Sequence, residues 1–263
     1  ISAHYYDNGS TDEGRVFLYL GDPTGLQTSA AWTAESNQAG ARFGANLDGG
    51  ADVNNDGYDD VLIAAPYYDL TATDEGRVYL YLGTATGLMT TPTWNNYGNQ
   101  ASAILHGVAF IGDVNNDGFE DASTGAALFD NGSADEGIIY VFYNTGTGLP
   151  LTPSWSYEVN KSSTKLGSAI SAAGDINGDG FDDFLAGAVE YDITTFDNYG
   201  KCLLFYGSPL GLPASPNWEY IGDYEEGRLG AIVATVGDIN GDNFDDFIVS
   251  QPYYDDGTSG FAH

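Results

Sequence analysis

The chain has 263 residues, of which 38 are acidic and 7 basic, for a formal charge of −31. So anionic a surface repels nucleic acid and anionic membranes, and there is no apolar run of about 18 residues to cross a bilayer. The single cysteine, Cys202, excludes an intrachain disulfide, while 19 Tyr, 13 Phe and 4 Trp provide core material and 36 Gly signal many tight turns.

Taken in order, the chain opens directly on strand-like sequence, as expected of a mature product or an excised piece. Residues 2–7 read as the end of one strand, residues 15–20 as the next, and Trp32 as the centre of a third. A nonapeptide follows: Asp52-Val53-Asn54-Asn55-Asp56-Gly57-Tyr58-Asp59-Asp60. It returns at 113–121, 175–183 and 238–246, so its first Asp steps by 61, 62 and 63 residues. Trp32, Trp94, Trp155 and Trp218 step by 62, 61 and 63, and a Gly-Leu pair recurs in the same register. Self-similarity at a fixed period outranks other signals in setting a fold.

Residues 166–228 represent the unit. A small-residue strand over 166–173 precedes the nonapeptide, a second strand covers 184–189, a third covers 202–206, and an outer strand surrounds Trp218. Four antiparallel strands per repeat of about 62 residues predict an all-β fold, a β-propeller of four-stranded blades. The expected division is a partial blade at 1–40, blades at 41–101, 102–163 and 164–227, and a partial blade at 228–263. That is about four blades' worth. Closing the two partial blades into a four-blade ring would duplicate one strand, so the expectation is part of a larger propeller, with both ends inside a blade.

Oxygen-bearing side chains at positions 1, 3, 5 and 9 of the nonapeptide, with Gly at 6 for a sharp turn, suit a hard cation such as Ca²⁺. An EF-hand would need a bidentate Glu at position 12, where this chain has Ile63, Thr124, Ala186 and Val249. A β-type run follows each loop, which also disfavours a dockerin-like module. Asp-Asn-Gly clusters are otherwise merely turns, but here there are four in register. The loops hold 16 of the 38 carboxylates, so about four Ca²⁺ ions per chain would take −31 to −23. Loops of this kind fill where calcium is millimolar, which points outside the cell or to its surface.

The aromatic-Gly before the loop (Phe43-Gly44, with Leu166-Gly167 and Leu229-Gly230 as variants), the loop itself and Ala65-Pro66 after it together resemble FG-GAP repeats. These are the units of the integrin α-subunit β-propeller, and the resemblance is closest to bacterial extracellular members. It implies that Asp52, Asn54, Asp56 and Asp60 bind calcium by side chain and Tyr58 by its carbonyl. The equivalents are Asp113, Asn115, Asp117, Phe119 and Asp121; Asp175, Asn177, Asp179, Phe181 and Asp183; and Asp238, Asn240, Asp242, Phe244 and Asp246. The carboxylates at position 8 (Asp59, Glu120, Asp182, Asp245) are expected to face solvent or cap a turn.

The departures set further expectations. The second repeat reads Ile104-Leu105 where the aromatic-Gly belongs. Ala126-Ala127 and Ala188-Val189 replace Ala-Pro, so those blades should turn differently. Asn243 stands for Gly at loop position 6, which Asn tolerates. A second acidic motif, Asp12-Glu13-Gly14, recurs as Asp74-Glu75-Gly76 and Asp135-Glu136-Gly137, with a variant ending at Gly200, and reads as a solvated turn or an acidic face. The tryptophans read as blade-packing anchors or sugar platforms, and Cys202 as a small core residue.

His4, His106 and His263 hold unrelated places in the repeat, and no zincin, nucleophile-elbow or P-loop motif is present. The expectation is no enzyme. It is a calcium-stabilised extracellular binding or adhesion module for a protein or glycan ligand, with no membrane insertion. The alternatives are a surface-layer or filament subunit that self-associates through open blade edges, or an accessory domain of a secreted hydrolase or lyase.

Overall fold

The computed structural model describes residues 1–194 and 197–255. Within them all regular structure is β, laid out as successive antiparallel sheets along the chain. Three sheets have four strands. The first comprises Asn46–Ala51, Asp60–Ala65, Arg77–Tyr81 and Trp94–Tyr97. The second comprises Leu105–Gly112, Asp121–Ala126, Ile138–Phe142 and Trp155–Tyr157. The third comprises Leu166–Gly174, Asp183–Ala188, Lys201–Phe205 and Trp218–Ile221. In each, sequence order equals spatial order. Before them stands a sheet of Ser2–Ala3, Arg15–Leu18 and Trp32–Glu35, and after them the pair Val233–Gly237 and Asp246–Val249. The innermost strands of neighbouring sheets lie against one another, giving the radial arrangement of a partial β-propeller.

The apolar cores lie between sheets. Leu62, Val78, Leu80 and Trp94 of the first four-stranded sheet pack on Leu105, Val108, Ile138 and Phe142 of the second. Ile111, Ile139 and Val141 meet Leu166, Phe184, Leu203 and Phe205 in the same way. The second and third strands are therefore covered on both faces, which is why Asp183–Ala188 and Lys201–Phe205 are buried throughout instead of alternating. Innermost strands carry Ala, Gly and Ser, which suits their crowding towards the axis. Each fully buried Phe, such as Phe142 or Phe184, contributes about 1.5–3 kcal/mol.

Three of the four tryptophans latch their sheet to the next. Trp32 Nε1–H donates to Met89 O at 3.0 Å, Trp94 to Pro150 O at 2.8 Å, and Trp155 to Pro213 O at 3.1 Å. Their rings stand edge-on to Tyr81, Phe142 and Phe205 of that next sheet. This is the anchoring role among the two the sequence allows.

Two expectations need correction. The second repeat's counterpart of Phe43-Gly44 is Leu105-His106, one residue on. Leu105 N–H donates to Glu75 O as Phe43 N–H does to Glu13 O, and Ile104 takes the preceding left-handed position shared with Arg42, Lys165 and Arg228. Replacing Ala-Pro does not change the turn after the second strand. Tyr68, Phe129 and Tyr191 N–H donate to Ala65, Ala126 and Ala188 O, and Tyr67, Leu128 and Glu190 N–H donate to Ala41, Ala103 and Thr164 O. The donors are the residues after the proline position, so the missing N–H of Pro66 is not needed.

Candidate metal centres

Each nonapeptide joins an innermost strand to the second strand of its sheet, and the ladder shifts register just before it, as between Phe110 and Gly112 or Ala172 and Gly174. Within the loop the acidic side chains organise the backbone. Asp52 Oδ1 accepts Asp56 N–H at 3.0 Å and its Oδ2 accepts Gly57 N–H at 2.7 Å. Asn54 Oδ1 accepts Asp56 N–H and Asp56 Oδ1 accepts Tyr58 N–H. The other loops repeat this wrap: Asp113 on Asp117 and Gly118, Asp175 on Asp179 and Gly180, and Asp238 on Asp242 and Asn243. Asn115, Asn177 and Asn240 and then Asp117, Asp179 and Asp242 follow suit, the latter three accepting the N–H of Phe119, Phe181 and Phe244. Asn243, at φ 71°, supplies the turn glycine's geometry.

The aspartate at position 9 ties the loop to the rest of the sheet. Asp60, fully buried, accepts Val53 N–H at 3.0 Å and, from the end of the third strand, Gly83 N–H at 2.7 Å. Asp121 does the same for Val114 and Asn144, and Asp183 for Ile176 and Gly207. Asp246 accepts Ile239 N–H. Desolvation pushes the Asp60 carboxyl up to about 6, Asp121 to about 8 and Asp183 to about 7, with the other loop aspartates adding repulsion.

Two of the position 8 carboxylates do not simply face solvent, while Asp59 is exposed as expected. Asp182 Oδ2 accepts the N–H of Asp113 in the preceding repeat at 2.8 Å, and Asp245 Oδ2 accepts that of Asp175 at 2.9 Å. The period held a signal for this. An acidic residue fills position 8 in all four loops, and Gly112 and Gly174 stand where Ala51 stands in the first repeat.

The Asp-Glu-Gly motif is neither a solvated turn nor an acidic face. Glu13, Glu75 and Glu136 are buried. Glu75 Oε1 accepts the N–H of Leu70, Thr71 and Ala72, Glu13 that of Asn8, and Glu136 that of Asn131. In the variant repeat Asp197 accepts Ile193 and Thr194 N–H. A carboxylate pins the loop from inside because between one and three backbone donors at the turn bond to it instead of to a ladder partner.

Among the described residues, no three acidic, His or Cys side chains converge to ion-holding distance as they lie; the carboxylates accept the loop's own N–H groups. The donor set nevertheless fits a hard divalent cation. Each loop offers three carboxylates, an amide oxygen and a carbonyl, five of the roughly six to eight oxygens Ca²⁺ takes. A carboxylate that accepts one or two N–H groups still has lone pairs to give. Crowded, partly desolvated aspartates are the electrostatic liability that such an ion relieves.

The cysteine and the two described histidines, His4 and His106, lie outside the loops. Cys202 is buried among Leu185, Leu204 and Val233, where desolvation pushes its thiol to about 12. Burial holds the His106 imidazole below its ordinary value. His263 lies outside the described residues.

The FG-GAP repeat family matches residues 43–81 and 229–262. Integrin alpha-4 of Xenopus laevis is 32% identical over 182 residues, 66% of this chain and 17% of that protein. Integrin alpha-3 of Cricetulus griseus is 31% identical over 184 residues, 67% of this chain and 17% of its own. The chain thus spans about one-sixth of the length of these relatives. The crystal structure of rhamnogalacturonan lyase YesW aligns with a TM-score of 0.46 and 13% identity, covering 89% of this chain and 42% of that one; so slight a likeness carries nothing about activity.

Proposed function

This chain is built of FG-GAP repeats in an integrin-α-like β-propeller, and on that premise we propose that it is a calcium-stabilised extracellular binding module of the adhesion type, without a catalytic role. The observation that carries the reading is the fourfold recurrence of one loop conformation with the same five oxygens in register. In the first repeat the ion is held by the side chains of Asp52, Asn54, Asp56 and Asp60 and the carbonyl of Tyr58, with the equivalent residues serving the other three. Bound Ca²⁺ supplies a divalent cross-link at each hairpin corner, which disulfides supply in other secreted domains.

Ligand recognition falls to the opposite end of the blades. All seven basic residues sit there. Arg15, Arg77 and Lys201 begin third strands, and Arg42, Lys161, Lys165 and Arg228 lie in the connections into innermost strands. Several rest on tyrosine faces: Arg42 lies over Tyr5 and Tyr67, and Arg77 over Tyr68, Tyr79 and Tyr97. Rigid cation–aromatic groups on loops of a fixed scaffold suit a protein or glycan ligand.

Calcium titration of chelator-stripped protein, with a metal count on the product, tests the reading. About four ions per chain are expected. Failure to bind any would overturn it, and binding of protein or glycan by the monomer, against ordered self-assembly, separates the module from a filament subunit.

A further inference from the structure

Neighbouring loops assigned to calcium are tied to one another along the chain, but only two of the three ties run through a position 8 carboxylate. Between the second and third, Asp182 Oδ2 accepts Asp113 N–H at 2.8 Å while Asp182 N–H donates to Asp113 O at 3.4 Å. Asn116 Nδ2 reaches Gly180 O across the same gap at 3.2 Å. Between the third and fourth, Asp245 Oδ2 accepts Asp175 N–H at 2.9 Å and Asp245 N–H donates to Asp175 O at 3.1 Å. Both contacts are close-fitting, since a Cβ on Gly112 or Gly174 would come within 2.2 Å of the Asp182 or Asp245 carboxylate. The Phe244 ring likewise fills the space beside Gly178, where a Cβ would meet it at 2.6 Å.

The first and second loops are joined differently. Ala51 stands in the glycine's place and Glu120 in the aspartate's. Among the described residues no hydrogen bond links the Glu120 carboxylate to Asp52. The tie there is Asn144, whose Nδ2 donates to Val53 O at 2.5 Å and to Glu120 O at 3.3 Å.

We propose that Asp182 and Asp245 are positioning residues that couple calcium binding among the loops at 113–121, 175–183 and 238–246, leaving the loop at 52–60 outside the coupled set. The proposal rests on the calcium reading above. Position 8 adjoins the position 9 ligand, so closure of a loop on its ion fixes the carboxylate beside it. That carboxylate holds the backbone of the preceding loop's position 1, whose side chain is the first ligand there. Filling one loop therefore pre-orders its neighbour, and by linkage the effect is reciprocal.

The test is calorimetric Ca²⁺ titration of the full chain after chelation, with an independent metal count. Asp56→Ala empties the first loop and should leave the other affinities unchanged. Asp179→Ala empties the third and should also weaken the second and fourth, each by roughly five- to tenfold. Asp182→Ala should still bind four ions with the second and third weakened, and Asp182→Asn, which keeps an acceptor oxygen, should restore most of the loss. A merely structural role at the blade interface would lower melting temperature in chelator without this asymmetry. Equal effects of Asp56→Ala and Asp179→Ala would overturn the coupling, and the comparison holds even where Asp182→Ala fails to fold. Absence of any bound ion in the unaltered chain would instead bring down the calcium reading, and the coupling with it.

Discussion

Trp94 and Pro150 belong to different repeats and lie 56 residues apart, yet the indole N–H of one meets the carbonyl of the other at 2.8 Å. The same bond joins Trp32 to Met89 and Trp155 to Pro213, so the Trp register and the Gly-Leu register of the sequence are two halves of one contact. Trp94→Phe should keep the edge-on packing against Phe142 and lose the bond, costing about 0.5–1.5 kcal/mol. Trp218→Phe, at a ring that is 38% exposed, should cost less. Denaturant midpoints of the two variants check the difference.

Chelation should lower the melting temperature by many degrees, because an ion that binds only the folded loops stabilises the fold by mass action. Identical melting curves with excess EGTA and with millimolar calcium would contradict calcium as the stabilising ligand.

Asp56→Ala and Asp60→Ala should behave differently although both are assigned to one ion. Asp56 is exposed and bonds only within its loop, so its loss should remove one ion with little effect on the chelated protein. Asp60 is buried under two N–H donors. Its loss leaves both unsatisfied, at about 1–3 kcal/mol each, so Asp60→Ala should destabilise the protein even in EGTA.

Glu75 links stability to pH at the other end of the blade. Burial alone would raise its pKa, but the N–H groups of Thr71, Ala72 and Leu70 outweigh it, and the carboxyl titrates below the ordinary glutamate value. The folded state thus binds this proton less readily than the unfolded chain. The stabilisation is complete above the unfolded pKa and is lost as pH falls through the folded one. Glu75→Gln should lower stability at neutral pH by about 1–3 kcal/mol and flatten the acid limb of a stability–pH profile. A parallel profile would rule out the ionised carboxylate as the loop's anchor.

Cys202 should be inert to thiol reagents in the native state and react only on unfolding, since it is fully buried and its thiol is pushed to about 12. Reaction at the same rate with and without denaturant would contradict its place in the core.

Much of the fold was legible because one period repeats every signal. The strands expected from 166–228 fall within a residue or so of those observed, since each is bounded by Gly, Pro or Asp turn chemistry. The Leu105-His106 pair was misplaced by one residue because neither side chain matches the motif, and only the Leu105 bond to Glu75 O reveals the register. Glu13, Glu75 and Glu136 were misjudged because a carboxylate beside Gly in a polar loop normally means exposure. Backbone donors folded over it are a tertiary fact with no local signature. Asp182 and Asp245 were misread for a related reason: their partners are 69 and 70 residues away.

The placement of apolar cores between sheets has a mechanical consequence. Load applied along the chain reaches each sheet only through its two neighbours, so detaching one bares a greasy face on the next and lowers the force needed to free it. Rupture should therefore proceed in steps of about 62 residues, as a zip-like series of sawtooth events instead of one collapse. Calcium in the loops would set the height of each tooth.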